Sequence, residues 1–337
     1  MKIALLTPTY SSFSGIDRVV QMQARELSRK NDVMIMTLKA DMKADSATLI
    51  VLGSPTNPLL ERAYRLFFFL DRRAIGKASV MLSGYDRVIS HFYPMNLVAA
   101  EAKRRYGLRY VAFNHGIAFS SLFTSPAERI YMNLFKRFFY NSLKPADEVC
   151  SVSKFLANEL EAETGIKSRV VYNKIDSTRF HAGVAGGKEI RAKHNLGTSP
   201  VVLFTGRLSP HKGVHLLLQA FMLAKKKLPG LKLLIAGKPT FKAYYDQLKS
   251  MADESVIFAG YVPDELLPAY YAACSVYATA SLWEGFDLPI VEAQACGKKV
   301  VAFDLCSHPE VVKSGILVAS RDVNAFAKAI LRLLNEK

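Results

Sequence analysis

The sequence predicts an α/β fold built as two successive parallel-sheet halves. Three observations predict it. Short, near-continuous apolar runs alternate with amphipathic helical patterns, as strands buried on both faces require. The alternation occurs twice, on either side of a glycine- and charge-containing stretch, Ser177–Ser199. The chain of 337 residues, 50% of them hydrophobic, is long enough for two cores of ordinary size.

Element by element, the strand-like runs of the first half are Lys2–Pro8, Asp32–Leu38, Thr48–Leu52, Arg87–His91, Arg109–Asn114, Glu148–Val152 and Arg169–Tyr172. Helical patterns lie between several of them, among them Asp17–Lys30 and Met95–Tyr106. The second half repeats the theme with strands at Val201–Thr205, Lys232–Ala236, Val256–Gly260, Ser275–Thr279, Lys299–Phe303 and Ile316–Val318, and helices at Val214–Lys227, Ala243–Ala252 and Asn324–Asn335. Gly183, Gly186 and Gly187 mark the connection. The expected domains are therefore 1–180 and 200–337, with 181–199 as linker. Each reads as Rossmann-like, and ligands of such sheets bind outside the carboxyl ends of the strands. The cleft is expected where those ends face each other.

Composition narrows the function. No apolar run approaches the length of a membrane span, and the N-terminal apolar run is too short for a signal peptide. Cys150, Cys274, Cys296 and Cys306 form no CxxC pair and read as buried reduced thiols of a cytoplasmic protein. The net charge is +16, and residues 1–180 hold 26 Lys/Arg against 16 Asp/Glu. Such a balance favours anionic partners. No nucleic-acid module signature is present, so nucleic acid is not an expected partner.

The chemistry concentrates in Trp283-Glu284-Gly285-Phe286-Asp287-Leu288-Pro289-Ile290-Val291-Glu292. A helix starting near Pro289 would aim its free backbone N–H groups at whatever lies before the loop. Glu284 would stand at the loop mouth and Glu292 one turn inside the helix. Taken alone, two glutamates near a helix start could simply suit its dipole. A second loop, Gly206-Arg207-Leu208-Ser209-Pro210-His211-Lys212-Gly213, follows the strand Val201–Thr205. Arginine offers planar bidentate phosphate contacts and lysine a mobile point charge. An isolated Arg and Lys here would read as a basic surface loop; with the Glu284 motif downstream, they read as a phosphate site.

The string from Glu284 through Gly297 resembles the E-x7-E signature of the retaining glycosyltransferases of family 4, which have the two-domain GT-B fold. The Gly206–Gly213 loop is similar to that family's GR-L-x-x-x-KG motif. The resemblance implies that Glu284 contacts the transferred sugar, that Glu292 binds the ribose hydroxyls, and that Arg207 and Lys212 stabilise the diphosphate. It also implies donor contacts at Gly15, Gly206, Gly285, Phe286, Asp287 and Leu288, and a sugar contact at His115 in Phe113-Asn114-His115-Gly116. His91 is a weaker candidate. Asp287 departs from the family's usual glycine or small residue, Tyr172 from its proline and Lys174 from its glycine. Ser307-His308-Pro309-Glu310 resembles another family loop.

The expected activity is transfer of a hexose or N-acetylhexosamine from a UDP- or GDP-sugar to a hydroxyl of a glycan or lipid-linked acceptor. The alternatives are a nucleotide-sugar epimerase or hydrolase of the same plan, or an inactive sugar-nucleotide-binding protein. No D-x-D pair and no His/Cys cluster appears, so no cofactor and no essential metal is expected. Ser125-Pro126-Ala127-Glu128 reads as a capping box opening a helix whose Ile130, Leu134 and Phe138 recur at spacing four beside Lys136, Arg137 and Lys144. Leu59–Lys77 is similar, with Phe67–Phe69 beside Arg62, Arg65, Arg72 and Arg73. Two readings stand: aromatic core helices, or a basic amphipathic surface resting on an anionic membrane.

Overall fold

The computed structural model describes residues 1–11, 14–123 and 125–336. The chain divides into two compact units, one of residues 1–120 and 124–174, the other of 175–337 together with Ser121–Phe123.

The first unit holds a parallel sheet of β1 (Lys2–Tyr10), β2 (Asp32–Ala40), β3 (Thr48–Val51), β4 (Arg87–Ser90), β5 (Arg109–Asn114), β6 (Glu148–Ser151) and β7 (Arg169–Val170), in the order β3-β2-β1-β4-β5-β6-β7. Its helices are α1 (Gly15–Ser28), α2 (Pro58–Leu66), α3 (Arg72–Val80), α4 (Met95–Tyr106), α5 (Pro126–Leu143) and α6 (Lys154–Thr164). The second unit orders its strands as β10-β9-β8-β11-β12-β13, with β8 (Val201–Thr205), β9 (Lys232–Ala236), β10 (Val256–Gly260), β11 (Val276–Thr279), β12 (Lys299–Phe303) and β13 (Gly315–Val318). Around it lie α7 (Gly187–Lys193), α8 (Val214–Lys227), α9 (Lys242–Ser250), α10 (Leu267–Ala273), α11 (Leu288–Ala295), α12 (His308–Val311) and α13 (Val323–Asn335).

The apolar runs are strands because both faces are covered: every residue of β8 is buried, as are all but the first of β12. Both sheets reverse direction of growth beside their first strand, the doubly wound order. The reversal lies between β1 and β4 in one unit and between β8 and β11 in the other. Loops leaving the carboxyl ends of those strands therefore diverge and leave a crevice at each switch point.

Two stretches differ from the sequence reading. The expected linker 181–199 contains α7, which packs on α10. Gly186 has φ +90, and a Cβ there would meet Ala269 Cβ at 2.8 Å. Gly186 and Gly187, which mark the connection in sequence, are close-packing positions, whereas a Cβ at Gly183 would meet nothing within 4 Å. The aromatic stripe of α5 also splits by face. Phe135 and Phe139 enter the core with Tyr93, whereas Ile130 is 62% exposed. Ser125 caps α5, but the Glu128 carboxylate leaves the capping box and takes both Arg62 guanidinium nitrogens at 2.6 and 2.7 Å. Leu59–Lys77 is broken at Asp71, whose carboxylate caps α3 through Ala74 N–H. Cys150, Cys274 and Cys296 are buried thiols, while Cys306 is half-exposed on a left-handed turn.

Candidate functional site

In the second unit the site forms at the β8/β11 switch point. β8 runs into Gly206 and the loop to Gly213, and β11 runs into the loop that carries Glu284. Gly213 has φ +60, and a Cβ there would run into the Ala280 carbonyl. Glycine thus lets the two loops touch, and the backbone N–H of Leu282 donates to the His211 carbonyl at 2.7 Å across the same contact.

That approach brings together residues 72 apart in sequence: Lys212 Nζ donates to Glu284 Oε1 in an ion pair whose side chains are 17% and 9% exposed. Arg207, exposed on the same loop, lies within electrostatic reach of Glu284. His211, between them, is pushed down to about 3 by burial, with the Lys212 and Arg207 charges adding to the effect. It is therefore neutral at pH 7, so the charge of this loop is carried by Arg207 and Lys212.

The helix expected near Pro289 starts at Leu288. Gly285, Phe286, Asp287 and Leu288 are all buried at its entrance. Glu292 is 2% exposed and accepts from the Tyr271 hydroxyl at 2.9 Å. Tyr271 in turn contacts Thr205 Oγ1 at 3.0 Å, at the end of β8. The two glutamates of the motif are each held by a partner that local spacing did not announce. Tyr271 was missed in sequence because a tyrosine in an apolar helix carries no signal of its own.

The remaining candidates belong to the first unit, at the carboxyl ends of its own sheet. Gly15 opens α1, where Ser14 accepts from Asp17 N–H at 3.5 Å; Ser12 and Phe13 of the expected loop lie outside the described residues. Asp17, three residues before Val20 on α1, read in sequence only as a helix start. It is buried and accepts from Thr9 Oγ1, Ser11 N–H and Ser11 Oγ, the last at 2.7 Å. Burial pushes its carboxyl up to about 6 despite those donors.

His115 follows β5 and is buried, as is His91 after β4. His91 Nε2 lies 2.7 Å from Gln23 Oε1, and its Nδ1 lies 3.1 Å from His115 Nε2. With the Gln23 carbonyl so placed, His91 Nε2 donates, its Nδ1 accepts from His115 Nε2–H, and His115 keeps Nδ1 as an acceptor. Burial lowers His115 to about 3 and His91 well below its ordinary value, His115 adding to the latter. Both rings are neutral at pH 7, so His115 can hydrogen-bond a hydroxyl but carries no charge to a phosphate.

Among the described residues no group of three or more His, Cys, Asp and Glu could hold a metal ion, and no helix is long and apolar enough to cross a membrane.

Residues 13–179 match the family described as Glycosyltransferase Family 4, and residues 199–336 match Glycosyl transferases group 1. The chain is 30% identical to the O-antigen chain mannosyltransferase B of Escherichia coli, over 88% of this chain and 77% of that one. It is 29% identical to a GDP-mannose-dependent alpha-(1-6)-phosphatidylinositol monomannoside mannosyltransferase of Mycolicibacterium smegmatis, over 95% and 85%. Among solved structures, the Anabaena protein HepE in complex with UDP and glucose superposes with a TM-score of 0.78 at 22% identity, covering 100% of this chain and 90% of that one. The sucrose-phosphate synthase of Thermosynechococcus elongatus superposes with a TM-score of 0.80 at 21% identity, over 99% and 90%. At these identities the likeness concerns the fold.

Proposed function

The chain belongs to glycosyltransferase family 4 and has the GT-B fold, and on that premise we propose that it is a retaining hexosyltransferase. Its donor is GDP-mannose, and its acceptor is a hydroxyl of a glycan or a lipid-linked sugar. The observation that carries the reading is the Lys212–Glu284 pair at the β8/β11 switch point, beside Arg207 and the first turn of α11. Fixed cations beside a carboxylate at a helix N-terminus suit a pyrophosphate attached to a sugar. The names of the two mannosyltransferases above support mannose as the sugar and GDP as the nucleotide.

In this mechanism the bond between sugar C1 and the diphosphate oxygen breaks. The acceptor oxygen bonds to C1 from the same face, and its proton passes to the departing diphosphate. Arg207 and Lys212 hold the growing charge on the leaving group, with no essential metal. Glu284 binds sugar hydroxyls, and Glu292 binds the ribose. We place the enzyme in the cytoplasm. The exposed Leu59, Leu60, Leu70 and Ile130 and the exposed Arg72, Arg73 and Arg137 support contact with an anionic membrane surface.

The test is a thermal-shift panel of GDP, UDP, ADP and their sugars, followed by transfer assays with GDP-mannose and membrane extracts. GDP and GDP-mannose should raise the melting temperature most. A panel with no response, or conversion of GDP-mannose without any acceptor, sinks the transferase reading of the site; a larger response to UDP corrects the donor.

A further inference from the structure

The loop that carries Glu284 is held by a second loop, and the hold needs one extra proton. Ser307 Oγ donates to the Glu284 carbonyl at 3.1 Å. One residue on, His308 Nδ1 lies 2.8 Å from the Phe303 carbonyl and Nε2 lies 3.2 Å from Asp287 Oδ2. A carbonyl only accepts, so Nδ1 carries a hydrogen. A neutral ring would then turn a bare Nε2 lone pair toward a carboxylate, acceptor against acceptor. The contact is attractive only when the pair holds one further proton. At 3.2 Å the contact is direct, with no room for a bridging water, and the two side chains are 0% and 2% exposed.

Asp287 is committed to this contact. It stands at the N-cap of α11, yet its side chain makes no cap hydrogen bond to the helix. Its φ is 67, in the left-handed region that non-glycine residues seldom occupy. An aspartate that neither caps its helix nor relaxes its backbone is held there by its partner.

We propose that Asp287 and His308 form a singly protonated latch that positions Glu284 and the first turn of α11 for the nucleotide sugar. His308 is a positioning residue and touches no substrate. The assignment rests on the reading of this loop as the donor site.

Besides Asp287, the ionisable group that acts on the ring is Glu284 on the same loop, with Lys212 and Arg207 beyond it; the Tyr277 hydroxyl of β11 lies within electrostatic reach of the Asp287 carboxylate. Burial alone would lower the imidazole, but the Asp287 hydrogen bond and charge, with Glu284 and the Phe303 carbonyl, outweigh it and raise it above its ordinary value of 6.5. A raised histidine stabilises fully below its unfolded value and loses that contribution as pH rises through the folded one. The latch therefore opens on the alkaline side of 6.5.

Two measurements test this. In nitrogen-15 spectra of the free, histidine-labelled protein at pH 6, His308, assigned through His308→Gln, should be an imidazolium, and in Asp287→Asn it should be neutral. Asparagine tolerates the left-handed backbone, and its amide can donate to a neutral Nε2, so this variant keeps the link without the extra proton. GDP and UDP affinities at pH 6.5 and 9 should then fall about tenfold more for wild type than for Asp287→Asn. Asp287→Gly, which frees the backbone but deletes the link, should bind more weakly than Asp287→Asn at both pH values. A neutral His308 at pH 6, equal pH responses, or a glycine variant that binds as tightly as wild type would each overturn the latch. Failure of both nucleotides to bind wild type overturns the donor-site reading instead, and the spectra still decide whether the latch exists.

Discussion

Lys212→Met strips the cation from Glu284 while keeping most of the aliphatic stem. Breaking a buried pair by removing one partner costs about 3–5 kcal/mol. Two features reduce that here. The side chains are 17% and 9% exposed, so some water reaches them, and Arg207 remains within reach of the carboxylate. The expected loss is about 2–3 kcal/mol, which lowers the melting temperature of a unit this size by roughly 4–10 °C. Glu284→Gln should cost less, about 1–2 kcal/mol, because an unpaired lysine can lift its charge toward water. The double variant contains neither charge, so its loss should fall short of the sum by about 1–2 kcal/mol. Transfer should not follow stability. All three variants should lose turnover, since each removes a group that acts on the donor. Urea unfolding beside a mannosyl-transfer assay separates the two effects. Strictly additive unfolding losses, with coupling under about 0.5 kcal/mol, would show that the pair does not interact in solution. Near-normal transfer by Glu284→Gln would remove Glu284 from the site.

The histidine network gives a prediction in acid. His115 stays neutral to about 3 when folded and protonates near 6.5 when unfolded. Unfolding therefore takes up a proton below pH 6.5, and stability falls as pH drops from there toward 3. At pH 5 this histidine alone accounts for roughly 2 kcal/mol, so His115→Gln should flatten the acid limb of a stability–pH curve by about that much; an unchanged slope contradicts the burial of the ring. For the exposed apolar residues of α2 and α5, replacement of Leu59, Leu60 and Ile130 by Ser should leave the melting temperature within about 1 °C, because each side chain is already in water. Co-sedimentation with phosphatidylglycerol vesicles should fall several-fold, while neutral vesicles should bind neither protein. Equal sedimentation of variant and parent would remove the membrane contact.

The alternation of apolar runs was sufficient to place the strands because a parallel strand covered on both faces must be apolar throughout, and that demand is met within five residues. Val201–Thr205, Lys232–Ala236 and Lys299–Phe303 occur at their expected bounds for this reason. The start of α11 was equally legible, since Pro289 suits a first helical turn and little else. The packing of Gly186 was not legible, because a glycine that admits Ala269 against the backbone looks in sequence like one that only turns the chain.

What the sequence by itself determined is therefore local: strand and helix positions, the twofold α/β plan, and the two loops that carry charge. Only the tertiary structure decided the pairings, Lys212 with Glu284, Glu292 with Tyr271, His91 with His115 and Gln23, and Asp287 with His308. Each joins residues 21 to 72 positions apart, counting from Glu292–Tyr271 to Lys212–Glu284. Hydrophobic periodicity is written into neighbouring residues, whereas a polar contact of this kind exists only once strand order and register have brought two distant segments together.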